Sequence, residues 1–167
     1  MLIRRALERD FSLLADIEAR ADSVFEGLAG FEDYQSCANS SAQDYRDLPI
    51  SKRIWLAENP DPIAFASSYD IDNVVFLAQL SVLPKAQQMG VGTLLLETLL
   101  SSARDRGKDG VILTTFIDVP WNAPFYEARG FKIIDTARLS PALKAKADID
   151  AKEWEHFSRR CIMGRFF

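Results

Sequence analysis

The chain has 167 residues, 48% of them hydrophobic and 26% charged, and its 20 Lys and Arg against 24 Asp and Glu leave a formal charge of −4. That balance excludes a disordered or fibrous chain, and with a sequence pI near 5.1 it offers no basic face to displace counterions from a nucleic acid. Two cysteines, Cys37 and Cys161, and one histidine, His156, supply neither a disulfide framework nor zinc-ligand spacing, so no metal is expected and a reducing cytoplasm is the simplest compartment.

Charge follows directly behind Leu2 and Ile3, so no secretory segment is expected, and the longest apolar stretches fall short of the about 18 residues that span a bilayer. The length supports one self-sufficient domain over residues 1–167, with no membrane partner. Leu2 to Ala6 reads as a first strand. Asp10 is placed to cap a helix with Phe11, Leu14, Ala15 and Ile17 on one face. Arg4, Arg5 and Arg9 read as a solvated edge. From Ser23 to Asp47, Gly27, Gly30, Asn39 and several serines predict loop and short irregular helix. Between Asp10 and Asp33 seven acids (Asp10, Asp16, Glu18, Asp22, Glu26, Glu32 and Asp33) face one base, Arg20.

Lys52 to Glu58 and Ile63 to Tyr69 flank Asn59-Pro60-Asp61-Pro62 and predict a hairpin. Val74 to Val82 is the longest strand candidate. Val91 to Arg106 is the clearest helix, with Leu94, Leu95, Thr98, Leu99 and Ala103 at helical spacing and Gly107 at its end. A strand at Val111 to Phe116, a helix at Ala123 to Arg129, a strand at Phe131 to Thr136, a weakly helical Ser140 to Phe157 and a last strand at Cys161 to Phe166 complete the order. Strands that first meander and then alternate with helices indicate an α/β or α+β domain with a mixed sheet.

Two segments carry chemistry. In the first, a long strand leads through Pro84 to Gln87-Gln88-Met89-Gly90-Val91-Gly92-Thr93, which opens the strongest helix. Glycines there let a ligand approach the backbone, and the helix N-terminus favours a phosphate. Leu95 stands where a dinucleotide fingerprint wants its third glycine, and no Gly-Lys-Ser/Thr run exists, so both nucleotide-fold readings weaken. In the second, Asn122 can cap a short helix that admits Pro124 in its first turn, carries Tyr126 and ends at Gly130. Tyr126 could donate a proton to a leaving group, or could serve only to pack aromatics. His156 reads as a surface residue, both cysteines as unreactive, and Trp55, Trp121 and Trp154 as packing residues, with Trp121 notable beside Asn122.

Taken in order, Gln87-x-x-Gly90-x-Gly92 after a strand and Tyr126-x-x-x-Gly130-Phe131 before another closely resemble the GNAT superfamily of acyl-CoA-dependent N-acyltransferases. The resemblance spans most of the chain and is most specific from Leu80 to Phe131. It implies a mostly antiparallel central sheet flanked by helices, with a splayed strand pair at the CoA site. It further implies acetyl-CoA as donor, and as substrate a primary amine of a small molecule or peptide. The loop amides from Gln87 to Thr93 would hold the CoA pyrophosphate, Leu80, Ser81 and Val82 the pantetheine arm, and Asn122 would meet that arm or merely cap its helix. Tyr126 would protonate the departing thiolate. Many relatives carry a glutamate near Gln79; glutamine cannot act as a base, so the base is open among water, an early-loop acid and Asp118, and Gln79 is left to orient a water or substrate. Glu26, Glu32 and Asp33, in the looser segment beyond the first helix, are the expected acceptor contacts, whereas Asp16 and Glu18 divide between that role and a solvated face. A non-catalytic acyl-CoA sensor is the competing class, and a homodimer is left open.

Overall fold

The computed structural model describes residues 1–37 and 40–167, so Asn39 and the side chain of Cys37 lie outside the described residues. The fold has the expected mixed α/β class, with a seven-stranded, mostly antiparallel sheet flanked by helices. The chain divides into two compact units, residues 1–69 with 77–102 and residues 70–76 with 103–167.

In the first unit the strand order is β1 (Leu2–Arg5), β2 (Arg53–Glu58), β3 (Pro62–Ile71) and β4 (Val74–Val82). The antiparallel registers run from Leu2↔Glu58 to Arg5↔Trp55 and from Arg53↔Ser68 to Ala57↔Ala64, with a bulge before Glu58. The hairpin drawn from the Asn59–Pro62 turn is therefore present. Helix α1 (Phe11–Ala21) buries Phe11, Leu14 and Ile17 of the predicted face, leaves Ala15 half-buried and adds Ala21, and short helices α2 (Tyr34–Cys37) and α3 (Ala42–Asp47) follow. Ser41 and Asp44 form a reciprocal cap on α3: the Asp44 amide donates to Ser41 Oγ at 3.4 Å and the Ser41 amide to Asp44 Oδ2 at 2.6 Å.

Asp10 is not the side-chain cap of α1. Its carboxylate accepts from the Leu7 amide at 2.8 Å and from the Arg4 guanidinium at 2.7 and 3.1 Å. Arg4 also donates to Glu58 Oε1 at 2.7 and 3.0 Å, so it bridges two carboxylates rather than lying on a solvated edge. A planar fork engaging two acids ties β1 to β2 and to the start of α1, and it holds the Asp10 carboxyl below its usual range.

Helix α4 (Val91–Asp105) buries Val91, Leu95, Leu96, Leu99, Leu100 and Ala103. Its apolar stripe is rotated from the expected one: Leu94 is 46% exposed and Thr98 turns its hydroxyl back to the Leu94 carbonyl at 2.8 Å. Gly107 follows at φ +68, the left-handed end the sequence predicts.

In the second unit the order is β4, β5 (Gly110–Phe116), β7 (Arg160–Phe166) and β6 (Lys132–Ile133), with helices α5 (Ala123–Glu127) and α6 (Pro141–Glu153). Strand β4 runs parallel to β5 at Val75↔Val111 and Phe76↔Ile112, and β5 is antiparallel to β7 from Gly110↔Phe166 to Phe116↔Arg160. The strand predicted from Phe131 to Thr136 contracts to two residues, because Asp135 turns its carboxylate onto the Ala137 amide at 3.0 Å and opens a 3-10 turn. Ser140 caps α6 through the Leu143 amide at 3.3 Å, so this segment is more regular than its composition suggests. Buried Asp150 anchors α6, accepting from the Thr114 hydroxyl and from Lys146 Nζ at 2.5 Å.

Close strand approach makes one glycine obligatory. A Cβ on Gly110 would lie 2.6 Å from the Arg165 carbonyl oxygen and 2.9 Å from Phe166 Cα, both backbone atoms that cannot swing aside. Gly110→Ala is expected to cost about 1–3 kcal/mol by overpacking. Urea unfolding checks this as a lower midpoint at unchanged slope.

Candidate functional site

The connection from β4 to α4 builds the first half of the site. Pro84 opens a 3-10 turn over Pro84–Ala86, and Gln87 Nε2 donates to the Val82 carbonyl at 3.1 Å, holding the loop against the strand end. Gln88 at φ 61 and Gly90 at φ 79 then turn the backbone through left-handed conformations into α4. The Leu94 amide makes the bond to the Gly90 carbonyl at 3.0 Å, so the amides of Val91 and Gly92 precede the helix's own ladder and carry its positive end. A Cβ at Gly90 would meet nothing within 4 Å, and Gln88 and Met89 are exposed. The loop is thus a set of amide donors beside open space, which is what an anion needs.

Along β4, Leu80 and Val82 are half-buried and Ser81 is buried. Gln79 and Ser81 share a face, and Gln79 Nε2 donates to Ser81 Oγ at 2.9 Å. The Gln79 carboxamide is therefore engaged on its own strand.

The acids of this unit sort differently from expectation. Glu26, Glu32 and Asp33 are exposed, and Glu32 is drawn into its own turn, accepting from the Gly30 amide at 3.1 Å, with backbone hydrogen bonds lowering its pKa. Asp16 is solvated and pairs with Arg20 at 3.3 Å. Glu18 is not on a solvated face: it is 7% exposed and accepts the Tyr45 hydroxyl hydrogen bond, with Ser40 also bonded to it. One turn on, Asp22 is 8% exposed. Sequence reasoning counted Asp22 among the acids but gave it no role. The signal was present, because Leu14, Glu18 and Asp22 recur at four-residue spacing on the face that carries Phe11 and Ala21. Burial, then the Glu18 charge, raises the Asp22 carboxyl to about 7.

In the second unit, α5 carries Tyr126, whose ring packs edge-on against Phe125 at 5.1 Å and Phe131 at 5.6 Å. Burial pushes its phenol well above the usual range, against the opposing charges of Arg160 and Arg129, so it stays protonated at neutral pH. Among the described residues its hydroxyl has no hydrogen-bond partner. Asn122 occupies the N-cap position without a side-chain cap; its carbonyl oxygen accepts from the Phe125 amide at 2.9 Å instead, which leaves the carboxamide uncommitted to the helix. Gly130 ends the segment at φ +83. Asp118 is exposed beside Arg159 at 3.7 Å, and Trp121 is 41% exposed. His156 lies at the surface, and Cys161 is half-buried with its thiol pKa raised by burial, in keeping with an unreactive residue. Among the described residues no group of His, Cys, Asp or Glu could hold a metal, and no helix is long and apolar enough to cross a membrane.

Strand, amide loop and tyrosine helix in this order define an acyltransferase fold. Residues 14–131 match the model of the acetyltransferase (GNAT) family, and the chain belongs to that family of acyl-CoA-dependent N-acetyltransferases. Solved structures of the same fold include a GCN5-related N-acetyltransferase from Rhodopseudomonas palustris (16% identity, TM-score 0.72, 99% of this chain and 95% of that one). A ribosomal-protein-alanine N-acetyltransferase from Brucella melitensis is similar over the full length of both chains at 17% identity and a TM-score of 0.67. The PaiA N-acetyltransferase from Thermoplasma acidophilum, solved in complex with coenzyme A, matches at 15% identity and a TM-score of 0.66, covering 99% of this chain and 98% of that one.

Asp22 gives a stability prediction. Its folded pKa of about 7 lies above the unfolded value of 3.8, so the folded state holds the extra proton between the two. The stability this contributes is complete below about pH 4 and is lost as pH rises through about 7. Asp22→Asn is expected to flatten that loss and to raise the melting temperature near pH 8 by about 2–4 °C for each kcal/mol of desolvation relieved. Thermal melts across pH check it.

Proposed function

We propose that the protein transfers the acetyl group of acetyl-CoA to a primary amine of a small molecule or peptide by direct attack of the neutral amine on the thioester carbonyl. The observation that carries this reading is the left-handed Gln88 and Gly90 turn that presents the α4 amides beside open space. In the proposed complex the amides from Gln87 to Thr93 hold the pyrophosphate, with Gln88 and Met89 as the exposed rim and Gly90 and Gly92 allowing close approach. Leu80, Ser81 and Val82 offer backbone groups to the amide-bearing pantetheine arm. The ladder of β4 with β5 supports this, since among the described residues it covers only Val75↔Val111 and Phe76↔Ile112. Asn122, free of a capping duty, is available to the same arm.

Rate arises from positioning and from hydrogen bonding to the developing oxyanion. Tyr126 protonates the departing thiolate: its hydroxyl is uncommitted, and its raised pKa keeps the proton in place until a stronger base appears. The exposed acids Glu26, Glu32 and Asp33 bias the local potential negative and favour cationic acceptors.

Two outcomes test the reading. CoA should stabilise the fold by mass action, by about 2.7 kcal/mol at one hundred times its Kd, and so raise the melting temperature; NAD should not, and Gly92→Leu should abolish the shift. Equal stabilisation by NAD removes the assignment. Tyr126→Phe keeps the ring and hence the packing, so its CoA shift should persist while kcat falls about 10²-fold. Release of free thiol from acetyl-CoA measures this, and an unchanged rate assigns thiolate protonation to water.

A further inference from the structure

The second unit contains a cavity of about 700 Å³, and none of the residues assigned above to CoA, to thiolate protonation or to the acceptor lines it. Strand β6 pairs with β7 only at Lys132↔Gly164 and Ile133↔Met163, after which the chain leaves the sheet through the Asp135 turn and reaches α6. The cavity is lined by that connection together with β5, β7 and α6. Its walls are apolar, formed by Val74, Ile112, Ile134, Leu143 and the Phe166 ring. Gly164 needs no left-handed backbone; what it supplies is room, since a Cβ there would lie 2.6 Å from Ile134 Cδ1 and 3.1 Å from Phe166 Cε2. Its missing side chain lets both ends settle onto the strand and lowers the cavity floor. Ile133 and Phe166 are 51% and 57% exposed, so apolar surface is left uncovered beside the opening. Charge around it is one-sided. The lining holds Lys132, Arg138 and Arg165 against one acid, Asp135, in a chain whose formal charge is −4. Asp135 is turned onto the Ala137 amide at 3.0 Å, and Arg165 donates to the Arg129 carbonyl at 3.1 Å. Lys132 and Arg138 are exposed, and among the described residues neither side chain has a hydrogen bond or an ion pair.

We propose that this cavity binds an amphipathic monoanion, a straight-chain carboxylate whose hydrocarbon tail lies on Ile112, Ile134 and Phe166 and whose head meets Lys132 and Arg138. The volume falls within the about 300–1,000 Å³ of small-molecule sites, which are mostly apolar with a few polar groups that fix orientation. Aliphatic walls offer nothing to a polar chain and favour methylenes. The uncommitted side chains of the lining are cations, which selects an anionic head, and a carboxylate matches the planar fork of Arg138. Two cations are too few to track a nucleic-acid backbone. A second copy of the chain is the other occupant an apolar opening could take, but the strand it would extend is two residues long and begins with a lysine, a composition that opposes edge pairing. This site is independent of the acetyl-transfer reading.

The test is calorimetric titration of the full-length chain with sodium decanoate and, as the same tail with the opposite charge, decylammonium chloride. Decanoate should bind at one site and about tenfold or more tighter than decylammonium. Octanoate should bind more weakly than decanoate, by about fourfold for each methylene removed. Joint replacement Lys132→Glu and Arg138→Glu should weaken decanoate about tenfold or more and favour decylammonium, whereas Lys144→Glu, on α6 outside the lining, should change neither. Leu139→Trp should block both ligands by filling the cavity. Melting-temperature shifts with CoA should persist in every variant. Absence of decanoate binding, equal affinity for decylammonium, or decanoate affinity within twofold of wild type in the doubly reversed variant overturns the proposal. Because Lys132 and Arg138 are exposed, that variant keeps the test decisive if Leu139→Trp does not fold. Sedimentation that shows self-association which decanoate does not compete with also overturns it, by giving the face to a second copy. Failure of the wild type to bind CoA removes the acetyl-transfer reading alone.

Discussion

The conversion of strand β4 into helix α4 is the constraint on which the rest depends. Between Val82 and Val91 the chain must stop pairing as a strand, reverse, and start a helix whose first amides point outward. A proline-led 3-10 turn stops the strand, and two departures into left-handed backbone, at Gln88 and Gly90 on either side of Met89, complete the reversal. Glycine takes one of these at no steric cost; glutamine takes the other at the expense of strain, which the Gln87 side chain helps to hold by bonding back to Val82. Because α4 then buries Val91, Leu95, Leu96, Leu99 and Leu100, its N-terminus cannot drift, and the backbone amides of its first turn acquire a fixed geometry.

Features governed by short-range rules were legible in the sequence. Strand β4 has the predicted bounds, α4 ends one residue early, and the hairpin around Asn59–Pro62 forms as turn chemistry dictates. Expectations failed where a polar side chain had a choice of partner. Asp10 and Asn122 both stand where caps stand, yet Asp10 turns to Arg4 and Leu7, and Asn122 leaves capping to its carbonyl. For Glu18 the sequence leaves acceptor contact and solvated face open, and neither is what forms: only the tertiary placement of Tyr45, from a helix more than twenty residues away, brings a phenol to it. Arg4 likewise needs Glu58, far along the chain, before it becomes more than an edge charge.

Two groups of this protein are raised by a common device: burial opposed by few compensating contacts. Tyr126 is kept neutral by desolvation although two arginines act the other way, and Asp22 is held near neutrality by desolvation and a neighbouring carboxyl. Asp10 and Asp70 show the contrary arrangement: their carboxyls are lowered, Asp70 by Lys108 and Arg106 against the opposing effect of burial. Carboxyls with a cation beside them are thus lowered, and Asp22, beside another carboxyl, is raised.

The two-residue turn between β3 and β4 has a bearing on how this sequence can vary. Asp72 sits at φ 51, where glycine would relieve backbone strain, and a search for stabilising replacements would choose glycine on conformational grounds. Yet the Asp72 carboxylate accepts from Ser140 Oγ at 2.5 Å, and that same oxygen caps α6 at Leu143. One hydroxyl thereby serves a hairpin tip and a helix start at once, donating to the first and accepting from the second. Positions 72 and 140 are consequently expected to vary as a coupled pair, because the aspartate, at a site its own backbone disfavours, is bonded to the start of a helix 68 positions downstream.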